Sequence, residues 1–210
     1  SKRHKGISAF ILQKGTPGLT AGHTEEKKGL RASDTTDLIF EDCRVPAADI
    51  LGGEGMGFTI AMTALDGGRI GIAAQSIGVA TAAFDAAVRY TQVREQFGQK
   101  ISKFQGLRWM VADMATEIEA ARQLMFSAAA MKDRGDRYTM QASMAKLFAS
   151  EMVNRVTANA LQIHGGYGFT KDYPVERYYR DARVFTIYEG TSEVQRLVIA
   201  RALSERAKSL

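Results

Sequence analysis

The chain has 210 residues, of which 45% are hydrophobic and 24% are charged, and its formal net charge is +5. This composition is typical of a globular chain with a sizeable core, and it excludes a collagen-like or wholly disordered protein. The single cysteine, Cys43, excludes an internal disulfide framework and a cysteine-based zinc site. Basic and acidic residues are interleaved, so the mild positive charge suits anionic ligands such as nucleotides but does not by itself indicate nucleic acid binding.

Neither a metal site nor a membrane segment is predicted. His4, His23 and His164 lie far apart and lack metal-ligand spacing. No apolar run approaches the roughly 20 residues that cross a bilayer, and no apolar segment follows the basic start, so we expect no membrane span and no secretory signal. A thiol-poor chain of this kind fits either the bacterial cytoplasm or the mitochondrial matrix.

The first fifty residues form a strand-rich segment. Residues 6–13 and 35–45 have the apolar content of strands; a Gly-Thr-Pro-Gly turn follows the first and Pro46 closes the second. The polar stretch 19–32 predicts a loop or an exposed hairpin. Two or three strands make a poor folding unit, so we expect this segment to be part of a sheet whose other strands lie elsewhere.

Beyond a glycine-rich segment at 51–57, the hydrophobic pattern becomes helical. The clearest helix, of about 30 residues, has apolar side chains at alternating spacings of 3 and 4, and its length of about 45 Å implies a bundle. A later helix repeats the pattern with small side chains, which let a neighbouring helix approach closely. The predicted helices cover 58–92, about 30 residues from Phe104, 138–163 and 192–207.

The segment 187–195 is the richest candidate for chemistry. Ser192, followed three residues later by Gln195, is a capping-box pattern that begins a helix directly after a Glu-Gly turn. Free backbone N–H groups at a helix start favour an anionic ligand, and Glu189 on the preceding loop can project a carboxylate into a cleft. The alternative, which the local pattern alone favours, is a well-capped helix with a solvated glutamate.

Three other segments can each be interpreted either as a ligand-binding site or as a purely structural feature. The glycines at 165–168 terminate a helix by default, or approach a pyrophosphate, although their spacing is not a dinucleotide fingerprint. His164 is better explained as packed or hydrogen-bonded than as catalytic. Arg94 and Phe97 form a phosphate site with an aromatic ring beside it, or a polar turn with a core plug. Asp66 and Arg69 form an ion pair one helical turn apart by default.

Together and in this order, these segments resemble the acyl-CoA dehydrogenase family, most closely its short-chain, butyryl-type branch. The likeness covers nearly all of the chain. The matching blocks are Phe40-Glu41-Asp42 with Val45-Pro46, Leu51 to Phe58, Leu65 to Arg69, Arg94 to Gly98, Phe104-Gln105, Ala120 to Arg122, Gln162 to Gly166, Pro174 to Arg177, Arg180 to Ala182, and Tyr188 to Glu193.

The resemblance implies a flavoprotein oxidoreductase of fatty acid β-oxidation. Such an enzyme dehydrogenates an acyl-CoA to the trans-2-enoyl-CoA: a carboxylate removes the α-proton, and the β-hydrogen leaves as hydride to N5 of FAD. The position that matches the family base is Glu189. Some relatives place the base immediately before the arginine of the Leu-Asp-x-x-Arg block, where this chain has Gly68. The straight-chain arrangement with Glu189 is therefore favoured, and short, straight-chain substrates fit the overall likeness.

The resemblance also implies the cofactor and substrate contacts, a homotetramer, and electron-transferring flavoprotein as the electron acceptor. In the family, the loop that matches 162–166 reaches the FAD of a neighbouring subunit. The implied FAD contacts are Arg94, Gln96, Phe97, Gln105, Gln162, Ile163, His164, Gly165, Gly166, Thr191, Ser192 and Glu193. The implied substrate or CoA contacts are Asp66, Gly67, Gly68, Arg69, Tyr188 and Gly190.

The fold implied by the resemblance is mainly α. Residues 1–51 would be the C-terminal part of a β-barrel-like middle domain, and residues 52–210 a C-terminal four-helix bundle. Family members carry a helical domain and a complete β-domain ahead of these parts, so we expect the chain to be the C-terminal part of such an enzyme. Two alternatives are an acyl-CoA oxidase-like relative, which would use the same residues, and a non-catalytic helical oligomerisation fragment, which needs only the apolar seam.

Overall fold

The computed structural model describes residues 3–208, and the fold is mainly α-helical, as predicted. Two compact units divide between Leu65 and Asp66, within the first long helix. The α-helices are α1 (Gly57–Val93), α2 (Gln105–Asp133), α3 (Thr139–His164), α4 (Val175–Ala182) and α5 (Ser192–Ala207). The strands are β1 (Ala9–Phe10), β2 (Leu19–Thr24), β3 (Thr36–Phe40), β4 (Ile50–Leu51), β5 (Glu95–Gln96) and β6 (Gln99–Lys100).

The strands of the first unit form two separate antiparallel pairs. Strand β1 pairs with β4, and β2 pairs with β3 in a register that sets Leu19 opposite Phe40. The two strands predicted in this segment are present but shorter than expected. The polar stretch at 19–32 begins with β2 and continues as a loop, so it supplies one strand and most of the connection of the β2–β3 hairpin. Apolar side chains such as Phe10, Leu38 and Phe40 stay largely exposed, because a two-stranded ladder cannot cover both of its faces.

The four predicted long helices are all present, with ends within about two residues of the prediction. The fifth helix, α4, was not predicted, because its eight residues are too few to show a heptad pattern. It follows Pro174, whose fixed φ suits a helix start, and it is stabilised by an ion pair of 2.7 Å between Arg180 Nε and Glu176 Oε2. The bundle therefore has four long helices and one short one.

Helix α3 lies at the centre of the second unit and packs against α2, α4 and α5. Its predicted seam is buried throughout, and alanines occupy half of it, so the neighbouring helices approach closely. Helix α1 adds a buried row of its own at the same helical spacing. The buried seam of α3 is Ala142, Ala145, Ala149, Met152, Val156 and Ile163; that of α2 is Met114, Ile118, Ala121 and Ala128; that of α1 is Ala73, Ile77, Ala80, Ala83, Ala87 and Tyr90.

Helix α1 is also long and apolar enough to cross a membrane by length and composition alone, and it is the one such helix within residues 3–208. The core helix of a bundle passes the same test. One face of α1 is buried in the way that a core helix requires. The expectation of no membrane span therefore stays a prediction.

Substitution of Ala149 tests the close packing of α3. Ala149 has no exposed surface, so Ala149→Leu adds three carbons where the neighbouring helices leave no room. We expect a loss of about 1–3 kcal/mol in the free energy of unfolding, measured by urea denaturation. The control is Ala112→Leu on an exposed position of α2, which should change stability by less than about 0.5 kcal/mol. Equal effects of the two changes would contradict the packing described here.

Candidate active site

Glu189 lies in a tight turn just ahead of α5. Its φ is +54° and that of Gly190 is +89°, so two successive residues adopt left-handed backbone. This conformation costs a residue other than glycine about 1–2 kcal/mol, and it persists only where the surroundings stabilise it. A Cβ on residue 190 would lie 2.6 Å from Gln195 Nε2, so glycine is needed at 190 for space as well as for conformation.

Side chains from two helices hold the carbonyl groups of this turn. Lys146 Nζ, on α3, donates a hydrogen bond of 2.7 Å to the Gly190 carbonyl. Gln195 Nε2, on α5, donates to the same carbonyl at 3.0 Å and to the Glu189 carbonyl at 3.2 Å. Both side chains are fully buried. Because the donors are fixed in the core, they fix the orientation of the peptide groups on either side of Gly190.

The residue before Glu189 is fixed as well. Tyr188 Oη donates a hydrogen bond of 2.6 Å to Gln75 Oε1 on α1, and its ring stacks on Phe185 with centroids 5.8 Å apart. Burial, aided by the nearby Glu189 charge, raises the pKa of Tyr188 to about 12. The phenol therefore stays protonated and keeps its donor role over the whole physiological pH range. The turn is thus tied to α1, α3 and α5.

The Glu189 carboxylate packs against the backbone of α1 at Gly68. An ideal Cβ on residue 68 would lie 2.5 Å from Glu189 Oε2, so any side chain there would displace the carboxylate. Oε2 is buried, and it has no hydrogen-bond partner in the described part of the chain. A buried carboxylate oxygen without a partner is unfavourable. It is therefore available to a proton that a ligand presents.

A polar network on α1 and α3 adjoins Gly68. Arg69 Nη1 donates to Asp66 Oδ1 at 2.6 Å and to Ser143 Oγ at 3.3 Å, and Thr139 Oγ1 donates to Asp66 Oδ2 at 2.6 Å. The ion pair expected from the sequence is therefore present. Arg69 is only 5% exposed, and its Nε is buried without a partner among residues 3–208. Gly67, in the same turn of helix, faces Lys132 Nζ of α2.

Lys146 is unusual because its ammonium group lies on a completely buried side chain. Burial lowers the pKa of its ammonium group to about 8, and the nearby Arg69 charge acts in the same direction, while neighbouring carboxylates oppose both. The sequence interpretation missed this residue. A signal was available, because Lys146 follows Ala142 by four positions and so lies on the face of α3 that was predicted to be buried.

The start of α5 differs by one residue from the prediction. The N-cap is Thr191, whose Oγ1 accepts a hydrogen bond of 3.3 Å from the Val194 amide. The predicted cap, Ser192, is the first residue of the helix, and its hydroxyl is buried without a partner within the described chain. The predicted capping box is therefore wrong. The physical reason is that Gln195 binds the carbonyls of the Glu189 turn instead of reaching back to the Ser192 amide.

A second group of predicted residues surrounds a cavity of about 600 Å³. Two segments that are about 65 positions apart in the sequence meet there, one after α1 and one at the end of α3. Gln105 and the start of α5 do not line this cavity, so the residues that the resemblance assigned to FAD fall into two groups. The predicted residues in the cavity wall are Arg94, Gln96, Phe97, Gln162, Ile163, His164, Gly165 and Gly166; Tyr90, Phe104 and Tyr167 add aromatic rings that were not predicted.

Phe97 is part of a two-residue turn between β5 and β6. Phe97 and Gly98 both have positive φ, +52° and +76°, as hairpins of this length favour. The Phe97 side chain is 92% exposed, so its interpretation as a core plug is wrong. It meets Phe104 edge to face at 6.1 Å, and the Arg94 guanidinium lies 5.4 Å from the Tyr167 ring centre. An arginine beside an aromatic ring suits a planar ligand that carries phosphate.

His164 is packed and hydrogen-bonded, as expected. Its ring stacks on Tyr90 with centroids 4.2 Å apart, and Nδ1 lies 2.8 Å from the Ala160 carbonyl. Because a carbonyl only accepts, Nδ1 carries the hydrogen. Burial lowers the pKa of His164 despite this hydrogen bond. Gly165, with a φ of +58°, then ends α3 and begins a 3-10 turn at the cavity wall.

Fold and site together define a helical-bundle protein with a candidate general base and a cavity suited to a nucleotide. The model of the family described as acyl-CoA dehydrogenase, C-terminal domain, matches residues 55–204. The chain belongs to this family. It is 56% identical over 202 residues to an acryloyl-CoA reductase (NADH) of Anaerotignum propionicum, covering 96% of this chain and 51% of the relative.

Two solved structures are similar over nearly the whole chain. Butyryl-CoA dehydrogenase from Megasphaera elsdenii is 51% identical with a TM-score of 0.95, over 96% of this chain and 53% of that one. A structure described as electron transferring flavoprotein of Acidaminococcus fermentans contains a chain that is 57% identical with a TM-score of 0.94, over 95% of this chain and 53% of that one. The chain spans about half the length of the relatives it matches.

Gly68→Ala tests the contact between α1 and the Glu189 carboxylate. Alanine gains up to about 1 kcal/mol over glycine within a helix, and the flexible end of Glu189 can move away from the new methyl group at little cost. We expect unchanged or raised stability together with a displaced carboxylate in a crystal structure of the variant. The control is Gly71→Ala on the same helix, which meets no atom within 4 Å and should leave the carboxylate in place. An undisplaced carboxylate in Gly68→Ala would count against the contact.

The lowered pKa of Lys146 predicts a pH dependence of stability. Between about 8 and the ordinary value of 10.5, the unfolded chain binds more protons at this site than the folded chain. The free energy of unfolding therefore rises with pH across that window on account of Lys146. We expect the wild type to gain stability relative to Lys146→Met as pH rises, in urea denaturation across this range. All other titratable groups are the same in both proteins, so a stability difference that is independent of pH would contradict the assignment.

Proposed function

We propose that this chain supplies the C-terminal part of an FAD-dependent acyl-CoA dehydrogenase that acts on short, straight acyl chains, with Glu189 as the base for the α-proton. The observation that carries the proposal is the buried Glu189 Oε2, which faces Gly68 and has no partner within residues 3–208. A base must reach a substrate proton without competition from hydrogen bonds to its own protein. The 51% identity to butyryl-CoA dehydrogenase supports the reaction and the short chain.

The residues fit FAD in two places. Arg94 and the rings around it suit a phosphate and an adenine, and Gly165 and Gly166 leave space for close approach because no atom lies within 4 Å of their Cβ positions. The start of α5 offers free backbone N–H groups and the buried Ser192 hydroxyl, which lacks a partner in the described chain. When bound, FAD supplies the acceptor for the hydride that leaves the β-carbon.

The chain's own residues hold and move the proton. Glu189 accepts the α-proton at its carboxylate, whose Oε2 is buried, and electrostatic interactions are stronger at a buried atom than in water. Tyr188, Lys146 and Gln195 keep the turn that carries it in place. Arg69, buried beside Gly68, has a free N–H at Nε among the described groups and is the proposed contact to the acyl-CoA.

Assembly and electron transfer are proposed from less direct support. A homotetramer would cover large apolar side chains that the helices expose, such as Trp109, Phe126 and Leu197. In such an assembly, one FAD would contact the cavity wall of one subunit and the α5 start of another. The similarity to a chain described under electron transferring flavoprotein supports that acceptor. Bacterial cytoplasm and mitochondrial matrix remain the two proposed compartments.

A second candidate function is the reverse reaction, reduction of an enoyl-CoA. The 56% identity to an acryloyl-CoA reductase (NADH) favours it. Glu189 would then start protonated and deliver its proton to the α-carbon, since a reaction and its reverse share one transition state. The oxidase and the oligomerisation fragment remain further alternatives. The same residues serve an oxidase, whereas a fragment with only a structural role has no use for a buried carboxylate without a partner.

The test uses the complete flavoprotein, with its visible spectrum recorded anaerobically before and after butyryl-CoA. We expect the wild type to bleach, and Glu189→Gln to keep its flavin spectrum and bleach at least about 100-fold more slowly, because amides cannot accept the proton. The matched control is Glu205→Gln, an exposed glutamate on α5, which should bleach at the wild-type rate.

Other results of this experiment distinguish the dehydrogenase from the alternative functions. Substantial bleaching by Glu189→Gln would remove Glu189 as the base. Flavin reduced by NADH and reoxidised by an enoyl-CoA, without bleaching by butyryl-CoA, would favour the reductase. Rapid peroxide formation in air without an electron-carrier protein would favour the oxidase. A colourless protein that takes up no added FAD would favour the oligomerisation fragment.

A further inference from the structure

Lys146 is the most deeply buried cationic side chain in the described chain. It has no exposed surface, and its helix face is otherwise made of alanine, serine and aliphatic side chains. Its ammonium group has one hydrogen-bond acceptor within residues 3–208, the Gly190 carbonyl at 2.7 Å, and forms no ion pair there. An apolar side chain would pack this position without the cost of burying a charge. The charge therefore needs an explanation other than packing.

The accepting carbonyl belongs to the residue directly after Glu189. Gly190 and Glu189 both have left-handed backbone, which the chain does not adopt without support. Gln195 Nε2, on α5, also donates to the Gly190 carbonyl, so this one oxygen accepts hydrogen bonds from two buried donors. If the Gly190 carbonyl lost these donors and its peptide group rotated, the backbone of the turn would rotate with it. The Glu189 carboxylate would then move away from Gly68.

We propose that Lys146 is a positioning residue, whose buried ammonium group holds the Gly190 carbonyl and so keeps the Glu189 carboxylate against α1 at Gly68. The inference rests on the proposed function, since it concerns the group that accepts the α-proton. A charged donor suits the task because its hydrogen bond is stronger than that of a neutral amide. Although burial lowers its pKa to about 8, most of the Lys146 ammonium stays protonated at neutral pH.

The experiment measures flavin reduction by stopped flow in the complete flavoprotein, with butyryl-CoA and α-deuterated butyryl-CoA. Lys146→Met keeps the length of the side chain and removes the donor. A base misplaced by about 1 Å costs about 100-fold in rate, so we expect a loss of about that size in the reduction rate constant. The substrate concentration for half-maximal rate should change by less than about threefold, and the deuterium effect should not fall, because proton removal limits the rate.

Met152→Ala on the same helix is the matched control. Met152 is also fully buried, and its truncation lowers stability while leaving both donors to the turn, Lys146 and Gln195, unchanged. We expect it to lower the melting temperature while leaving the reduction rate constant within about threefold of wild type. Lys146→Gln, which keeps a neutral donor on a shorter side chain, should fall between Lys146→Met and wild type.

The outcomes are separable from those of the proposed function. If the wild type itself is not reduced by an acyl-CoA, the proposed function fails. If the wild type is reduced and Lys146→Met matches it, only the positioning role is overturned. If Lys146→Met does not fold, Lys146→Gln decides: wild-type reduction, or a loss of FAD together with folding, makes Lys146 a core residue and overturns the inference.

Discussion

The left-handed turn at Glu189 and Gly190 is the constraint on which the candidate site depends. Such a turn does not hold itself, and here two buried donors, Lys146 and Gln195, meet at one carbonyl oxygen. Because the donors belong to different helices, the turn keeps its shape only while α3 and α5 keep their spacing. The position of one carboxylate thereby depends on the packing of the whole bundle.

The small side chains of α3 make that dependence possible. Alanines at 142, 145 and 149 bring the neighbouring helices close enough for Lys146 to be covered completely and still reach the turn before α5. Larger side chains would move the helices apart and lengthen this hydrogen bond. Packing and chemistry therefore share the same residues, and a core alanine far from the carboxylate contributes to where the carboxylate lies.

The long helices could be predicted because their apolar spacing extends over several turns, whereas α4 is too short for any period to emerge. The family motifs predict Glu189, Arg94 and the loop at 162–166 as site residues. They do not indicate that Arg94 and the loop line one cavity and that Glu189 does not line it. The role of Lys146 and Gln195 in holding the turn was missed, because the backbone carbonyls that they bind leave no pattern in the sequence. The cap of α5 was misassigned for the same reason, since Gln195 binds the carbonyls five and six positions before it instead of the Ser192 amide.

The absence of a side chain at Gly68 on α1 limits which sequence positions in this protein family can carry the carboxylate. One small volume beside the helix is reachable from two backbone positions, residue 68 from within the helix and residue 189 from across the bundle. Side chains at the two positions exclude each other from this volume, because a side chain on residue 68 occupies the space that the Glu189 carboxylate needs. A carboxylate at this place can therefore come from residue 68 in place of residue 189 only if both positions change together. Residue 68 must gain a carboxylate side chain, and residue 189 must lose its own.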